Sequence, residues 1–192
     1  KKNNKFLKRS DFIEKLLRTI PQSSKIISTT GYTSRELMQI RNEKKLKKGK
    51  DFYMVGGMGH SLMVALGFSA NSKKKVICLD GDGSLLMHMG SLRTAGYFGN
   101  SRLLHILLNN NTHESVGGQE TTAKSINFKM LVKSLGYKKY FKISKNKELD
   151  HILKRFISTS GPSFLEVKIS EGSLKNMIRP NNLLEIKNKF MS

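Results

Sequence analysis

Two short apolar runs constrain the fold of this chain more than any other feature. They cover residues 75–80 and 103–109, and neither run alternates between apolar and polar residues. Strands that are covered on both faces have this pattern, and such strands are typical of parallel sheets. Segments with helical periodicity lie before, between and after the two runs. This alternation predicts an α/β fold, namely a three-layer α/β/α domain with a mostly parallel sheet.

The rest of the chain continues the alternation of strands and helices. Further strands are predicted at residues 25–29, 52–55, 140–143 and 163–169. Helices are predicted at residues 11–20, 34–45, 60–69, 85–98, 126–135, 147–158 and 182–190. No internal repeat or low-complexity linker interrupts the 192 residues. We therefore expect a single domain that spans residues 1–192.

The chain is strongly basic. The chain has 35 Lys+Arg against 14 Asp+Glu, a formal net charge of +21, which could mark a surface that binds nucleic acid. The basic residues fall in short runs, however, and no interleaved aromatic residues accompany them. Nucleic-acid binding is therefore the less favoured alternative, and the charge could instead steer an anionic substrate.

Two further features predict the cellular location of the protein. No apolar stretch approaches the ~18–20 residues of a transmembrane helix, so we expect no membrane partner. Cys78 is the only cysteine, and it lies inside an apolar run where a buried, inert thiol is expected. Both features favour a cytoplasmic protein.

Residues suited to chemistry follow the first apolar run, in Gly81-Asp82-Gly83-Ser84. Ligands of parallel α/β sheets bind beyond the carboxyl ends of the strands. The two glycines allow a sharp turn, and the free N–H groups of a helix that starts near Ser84 suit a phosphate. Asp82 would repel a phosphate, so we predict a bridging cation, for which Mg²⁺ is the usual choice.

A second set of oxygen ligands follows the other apolar run, in Asn109-Asn110-Asn111-Thr112. If the two strands are neighbours, these residues lie beside Asp82 at the same edge of the sheet. Asn side chains and backbone carbonyls offer the hard oxygen ligands that Mg²⁺ accepts. Either segment alone could be an ordinary turn, but together they predict a site for a metal and a phosphate.

The pair of segments resembles the signature of thiamine-diphosphate enzymes, in which a Gly-Asp-Gly motif is followed at about this distance by two asparagines. The resemblance implies that Asp82 and the Asn110 side chain bind Mg²⁺ and that the Thr112 carbonyl adds a third protein ligand. It also implies that Gly81, Gly83 and Ser84 belong to the loop that binds thiamine diphosphate. Asn111 departs from the family pattern, which has glycine at that position.

Two other loops resemble the same family. The loop after the first predicted strand resembles the one that holds the diphosphate. This resemblance implies that Thr30, Gly31 and Thr33 bind the diphosphate. The glycine-rich loop near residue 57 resembles the one that holds the aminopyrimidine. There the Gly56 carbonyl would accept a hydrogen bond from the pyrimidine amino group, and Met58 would separate the two rings of the cofactor. Without its glycine neighbours, Met58 would more simply be a core residue.

Finer details resemble phosphonopyruvate decarboxylases, with sulfopyruvate decarboxylases as near neighbours; they include His60, His113 and the Gly117-Gly118-Gln119 turn. This resemblance implies decarboxylation of a small anionic 2-oxo acid, with phosphonopyruvate giving phosphonoacetaldehyde. The β subunit of sulfopyruvate decarboxylase is the alternative. His60 and His113 are candidates for binding the substrate anion or donating a proton, and a purely structural role for each is equally open.

The family also implies a partner. Its activating glutamate comes from a pyrimidine-binding domain, and no acidic residue of this chain lies in a matching context. We therefore expect this chain to be the diphosphate-binding half, which lacks the pyrimidine-binding domain and is inactive by itself. The resemblance further implies a homo- or hetero-oligomer.

Overall fold

A six-stranded sheet forms the centre of the computed structural model, which describes residues 6–44, 46 and 50–191. The strands are β1 (Lys25–Ser28), β2 (Lys50–Tyr53), β3 (Val76–Gly81), β4 (Leu103–Asn109), β5 (Lys139–Ile143) and β6 (Ser163–Lys168). They lie in the order β2-β1-β3-β4-β6-β5, and every neighbouring pair is parallel. The predicted parallel sheet is confirmed, and the two apolar runs form its central pair of strands.

Helices cover both faces of this sheet. They are α1 (Arg9–Thr19), α2 (Tyr32–Glu43), α3 (Ser61–Asn71), α4 (Asp82–Met87), α5 (Ser91–Phe98), α6 (Phe128–Ser134), α7 (Leu149–Ser158) and α8 (Leu183–Met191). Buried side chains of α1, α2 and α7 pack on one face, and those of α3, α5, α6 and α8 pack on the other. The three-layer arrangement is therefore confirmed. Within the described ranges, no helix combines the length and the apolar character needed to cross a membrane.

The side chains of β3 explain why its sequence does not alternate. Ile77 and Leu79 point to the face covered by α1, α2 and α7, whereas Val76 and Cys78 point to the opposite face. All four side chains are fully buried. Each apolar side chain of this size contributes roughly 1.5–3 kcal/mol when it is buried. In β3 the first polar side chain is that of Asp80, next to the end of the strand.

One predicted helix is wrong in its extent. Residues 85–98 form two helices, α4 and α5, and α4 already begins at Asp82. The backbone leaves the helical conformation at His88, where φ is −138° and ψ is 49°. This turn packs against the glycine-rich loop, since a Cβ on Gly59 would lie 2.9 Å from the His88 Cβ. The apolar periodicity continues across the turn, so the sequence pattern does not reveal the break.

Other boundaries differ by a few residues. Strand β2 was predicted at residues 52–55 and begins at Lys50, because its register pairs Lys50 with Lys25 of β1. The helix predicted at residues 34–45 corresponds to α2, which begins at Tyr32 and ends at Glu43. Residue 45, where the prediction ended, lies outside the described residues.

Candidate active site

The candidate site lies at the carboxyl ends of the two central strands. Strands β3 and β4 are neighbours, and Gly81 at the end of β3 is in register with Leu108 of β4. Asp82 is the first residue of α4, and Asn110 directly follows β4. The expectation that the two motifs meet at one edge of the sheet is confirmed.

Most of the predicted site residues line one pocket with an empty volume of about 440 Å³. These residues are Thr30, Thr33, Met58, Gly81, Asp82, Gly83, Ser84, Asn110, Thr112 and His113. Gly31 and Gly56 instead line a neighbouring pocket of about 620 Å³, which shares Thr30 and Met58 with the first. Met58 therefore stands at the boundary between the two pockets.

The carboxylate of Asp82 provides the first test of whether a cation fits here. Its side chain is buried, and its Oδ2 accepts a hydrogen bond of 2.7 Å from the Thr121 hydroxyl. Burial raises the pKa of Asp82, and the hydrogen bonds from Thr121 and the backbone oppose this increase only in part. A buried carboxylate with too few compensating partners is suited to a divalent cation, which would supply the missing positive charge.

The Asn110 side chain is oriented by its neighbours. Its Nδ2 donates to Glu114 Oε2 at 2.8 Å, and its Oδ1 accepts from the Thr112 N–H at 3.1 Å. With the amide nitrogen held by Glu114, Oδ1 is the atom that can bind a cation. The segment that carries Thr112 is held by a hydrogen bond on each side, from His113 N–H to the Gln119 carbonyl and from Thr121 N–H to the Asn111 carbonyl, both 2.8 Å.

The neighbouring asparagines support this turn. Asn109 Nδ2 donates to Glu166 Oε1 at 3.1 Å, and Asn109 Oδ1 accepts from the Asn111 N–H at 3.2 Å. Asn111 has a φ of 59°, in the left-handed region that favours glycine. Asparagine is among the few other residues that adopt this conformation readily. The departure from the family's glycine is therefore accommodated by the local backbone.

Ser84 joins three of the predicted loops. Its buried Oγ accepts hydrogen bonds from the Thr29 hydroxyl at 2.7 Å and from the Gly59 N–H at 3.0 Å. The loop after β1, the glycine-rich loop and the start of α4 therefore meet at one oxygen atom. Gly31, with a φ of 91°, precedes the first turn of α2 and turns the chain into that helix. These contacts hold the loops around the pocket in which a diphosphate would have to bind.

The two candidate histidines lie in different surroundings. His113 lines the pocket, and its ring lies so close to Gly83 that a Cβ there would be 2.3 Å from Nδ1. His60 is exposed and is not among the lining residues of either pocket. Its ring packs on His88, with 4.8 Å between the centroids, and its Nδ1 lies 3.2 Å from the Met58 carbonyl oxygen. His113 can therefore contact a ligand in the pocket, whereas His60 lies at the surface outside the lining of both pockets.

Three charged residues beside the pocket were missed by the sequence reasoning. Arg9, buried on α1, donates to Glu36 Oε1 at 3.2 Å and also contacts Glu114. Burial raises the pKa of Glu36 above its ordinary value, and the positive charge of Arg9 offsets this increase only in part. The two carboxylates that Arg9 contacts are those of Glu36 and Glu114, and not that of Asp82. No motif connects the three residues in the sequence, because Arg9 lies 27 residues from Glu36 and 105 residues from Glu114.

Comparison with known proteins gives the same family. The family model described as "thiamine pyrophosphate enzyme, C-terminal TPP binding domain" matches residues 29–167 of this chain. A phosphonopyruvate decarboxylase from Streptomyces viridochromogenes is 34% identical over 168 residues, which are 88% of this chain and 41% of that protein. The chain thus spans less than half the length of that relative.

Shorter relatives match along most of their length. The sulfopyruvate decarboxylase subunit beta from Methanococcus maripaludis is 32% identical over 170 residues, 87% of each chain. The corresponding subunit from Methanocaldococcus jannaschii is 35% identical over 130 residues, 67% of this chain and 66% of that protein. The matched family model and these relatives show that the chain belongs to the thiamine pyrophosphate enzymes. It corresponds to their C-terminal TPP-binding domain.

Proposed function

We propose that this chain is the diphosphate-binding half of a decarboxylase that uses thiamine diphosphate and Mg²⁺ and converts phosphonopyruvate to phosphonoacetaldehyde. The observation that carries the proposal is the meeting of the buried Asp82 carboxylate and the oriented Asn110 amide in one pocket. Carboxylate and amide oxygens together with a phosphate are the usual surroundings of Mg²⁺. The 34% identity to a phosphonopyruvate decarboxylase supports the choice of substrate.

The metal and the cofactor would be held by residues from three loops. Asp82, Asn110 Oδ1 and the Thr112 carbonyl would bind Mg²⁺. The diphosphate would lie against the residues around the start of α2 and α4, where the N-terminal ends of helices suit an anion. These residues are Thr30, Gly31, Thr33, Gly81, Gly83 and Ser84.

The remaining predicted residues would position the rings of the cofactor and the substrate. The Gly56 carbonyl would accept from the pyrimidine amino group, and Met58 would separate the two rings. Bound thiamine diphosphate supplies the electron sink that decarboxylation of a 2-oxo acid requires. His113 could hold the substrate anion or donate a proton from its ring, because it lines the pocket. The same role for His60 stays a prediction without support from its position.

A partner is part of the proposal. Activity would require a pyrimidine-binding domain or subunit, in a homo- or hetero-oligomer. The proposal is supported by the 41% coverage of the phosphonopyruvate decarboxylase and by relatives whose names describe them as subunits. Sulfopyruvate is the second candidate substrate, because the sulfopyruvate decarboxylase β subunit from Methanococcus maripaludis matches over 87% of its length. Comparison of the two substrates with the assembled enzyme would separate these candidates.

Calorimetric titration of thiamine diphosphate into the chain, with and without Mg²⁺, tests the cofactor site. We expect Mg²⁺-dependent binding that is weakened about tenfold or more by Asp82→Ala, because a metal ligand is lost. Asp11→Ala is the matched control, since Asp11 is exposed on α1 and does not line the pocket.

Metal-independent binding, or equal affinities of the wild type and Asp82→Ala, would contradict the proposal. If the chain alone does not bind the cofactor, the titration is repeated with an added pyrimidine-binding domain, and continued absence of binding also contradicts it. The nucleic-acid alternative instead predicts duplex binding that weakens steeply with salt.

A further inference from the structure

The neighbouring pocket has a different charge from the pocket that contains Asp82. It is formed by the first turn of α2, the glycine-rich loop after β2, the loop after β4 and the segment before α8. Its lining includes two arginines, Arg35 and Arg179, and no aspartate or glutamate. The first pocket, by contrast, is lined by Asp82 and Glu114 and contains one arginine, Arg9. The first pocket thus has carboxylates that suit a cation beside the diphosphate, whereas the second offers only positive charge.

The two arginines are available to bind an anion. Within the described part of the chain, neither guanidinium forms an ion pair with a carboxylate, whereas Arg9 contacts two of them. Arg35 is half-buried, and its guanidinium carbon lies 5.8 Å from the centre of the Tyr32 ring, which packs against one side of it. A partly buried guanidinium without a carboxylate partner favours an anionic ligand, because the missing counter-charge is then restored.

The position of this pocket relates it to the reaction. It shares Thr30, Met58 and Ser115 with the pocket that would hold the metal and the diphosphate. Met58 is the residue expected to lie between the rings of the cofactor. Gly56, which would hold the pyrimidine ring, lines the same pocket. A short ligand whose reacting carbon lies near this boundary could therefore extend a second group towards the two arginines, beside that ring.

We propose that Arg35 and Arg179 bind the second anionic group of the substrate, the tetrahedral phosphonate or sulfonate that lies opposite its 2-oxo acid end. This assignment rests on the proposed decarboxylase function and deepens it. Each guanidinium presents a planar set of N–H donors that matches the oxygens of such a group, and two of them balance a dianion. The pocket accordingly selects 2-oxo acids with a strongly acidic head group over monoanionic ones such as pyruvate.

The test uses two small head-group probes, methylphosphonate and methanesulfonate, titrated into the folded chain. Binding is followed through the side-chain Nε–H signals of arginine in ¹⁵N NMR spectra. We expect saturable shifts in the wild type and an affinity that falls about tenfold in Arg35→Gln and in Arg179→Gln, through loss of charge-assisted hydrogen bonds. Arg155→Gln is the matched control: it removes the same charge from an exposed position on α7 and should change the affinity less than about twofold.

The outcomes separate this inference from the proposed function. Absence of saturable binding, or an equal loss of affinity in Arg155→Gln, would overturn the assignment of the two arginines. Arg179 is exposed, so Arg179→Gln should fold even if Arg35→Gln does not. Thiamine diphosphate is titrated into the same variants in the presence of Mg²⁺. Probe binding without cofactor binding, when a pyrimidine-binding domain is also present, overturns the decarboxylase proposal alone. Cofactor binding without probe binding overturns the anion site alone.

Discussion

At the scale of single residues, Glu114 determines what the Asn110 amide can do. Its carboxylate accepts from Asn110 Nδ2, from Arg9 and from the Gly172 N–H. A carboxylate can only accept, so the amide must present its nitrogen to Glu114 and its oxygen elsewhere. The orientation of a proposed metal ligand is therefore set by a residue that need not touch the metal.

Replacement of Glu114 by glutamine should weaken the binding of Mg²⁺ together with thiamine diphosphate. Glutamine can donate as well as accept, so the Asn110 amide could turn and present its nitrogen to the pocket. We expect a loss of about tenfold or more in metal affinity, as for other partners of metal ligands. Calorimetry at several Mg²⁺ concentrations measures it. Glu171→Gln is the control, since Glu171 contacts the hydroxyl of Thr112 and not the Asn110 amide; equal losses in both variants would refute the orienting role.

Glu166 makes part of the folding stability dependent on pH. Burial by itself would raise the pKa of Glu166, but the Tyr140 hydroxyl, Lys168 and Lys142 together hold it below its usual value. A carboxyl whose pKa is lower in the folded state contributes stability above its unfolded pKa of about 4.3. That contribution is lost as the pH falls through the lower folded pKa.

Glu166→Gln should therefore destabilise the protein most at neutral pH. We expect a decrease of about 1–3 kcal/mol in the free energy of unfolding at pH 7, because charge-assisted hydrogen bonds become neutral ones. The difference from the wild type should shrink as the pH falls below the unfolded pKa of about 4.3 and then through the lower pKa of the folded protein, where the wild-type carboxyl also becomes protonated. Urea unfolding across this pH range measures it, and a difference that is independent of pH would contradict the explanation.

At the scale of elements, Gly96 allows helix α5 to approach the end of α6. A Cβ on Gly96 would lie 2.1 Å from the Leu135 carbonyl oxygen, which follows α6. Backbone atoms cannot move aside as the end of a flexible side chain can. This glycine is therefore required for the packing of two helices on the face that also carries α3.

Gly96→Ala should lower the free energy of unfolding by about 1–3 kcal/mol, the usual cost of overpacking. Gly67 provides a matched control within α3, because a Cβ there would meet no atom within 4 Å. Gly67→Ala should raise stability by about 0.5–1 kcal/mol through better helix propensity. Urea unfolding of both variants measures the two effects, and effects of the same sign would contradict this account.

At the scale of the whole molecule, each acidic residue around the pocket already has another role: Asp82 is the proposed metal ligand, and Glu36 and Glu114 are ion-pair partners of Arg9. Asp82 also accepts a hydrogen bond from Thr121. The resemblance to thiamine-diphosphate enzymes implies that the acid which activates the cofactor belongs to a pyrimidine-binding domain. The described residues thus fit one side of a cofactor site that a second domain would complete.

The purified 192-residue chain should therefore release no CO₂ from phosphonopyruvate when it is supplied with thiamine diphosphate and Mg²⁺. Addition of a pyrimidine-binding domain should restore release, since the activating acid is then present. Coupled detection of phosphonoacetaldehyde provides the measurement, and a variant of the added domain that lacks its glutamate is the control. Turnover by the chain alone would refute this division of roles.

Several features of the fold could be predicted from the sequence because they depend on neighbouring residues. The non-alternating runs at residues 75–80 and 103–109 predicted strands covered on both faces, and the two motifs at their ends predicted the edge where the pocket lies. Helical periodicity and turn chemistry are similarly local. Periodicity failed at His88, where a contact with the glycine-rich loop interrupts a continuous apolar pattern.

Only the tertiary structure brought distant charges together. Arg9 contacts Glu36 and Glu114, which lie 27 and 105 residues away in the chain. Arg179, in the segment before α8, lines the same pocket as Arg35 on α2. Such contacts depend on how helices and loops pack around the sheet, and no periodicity or motif specifies which charges will meet. The sequence by itself therefore determined the strands and the position of the site, whereas packing determined which residues orient the proposed metal ligand and which are free to bind an anion.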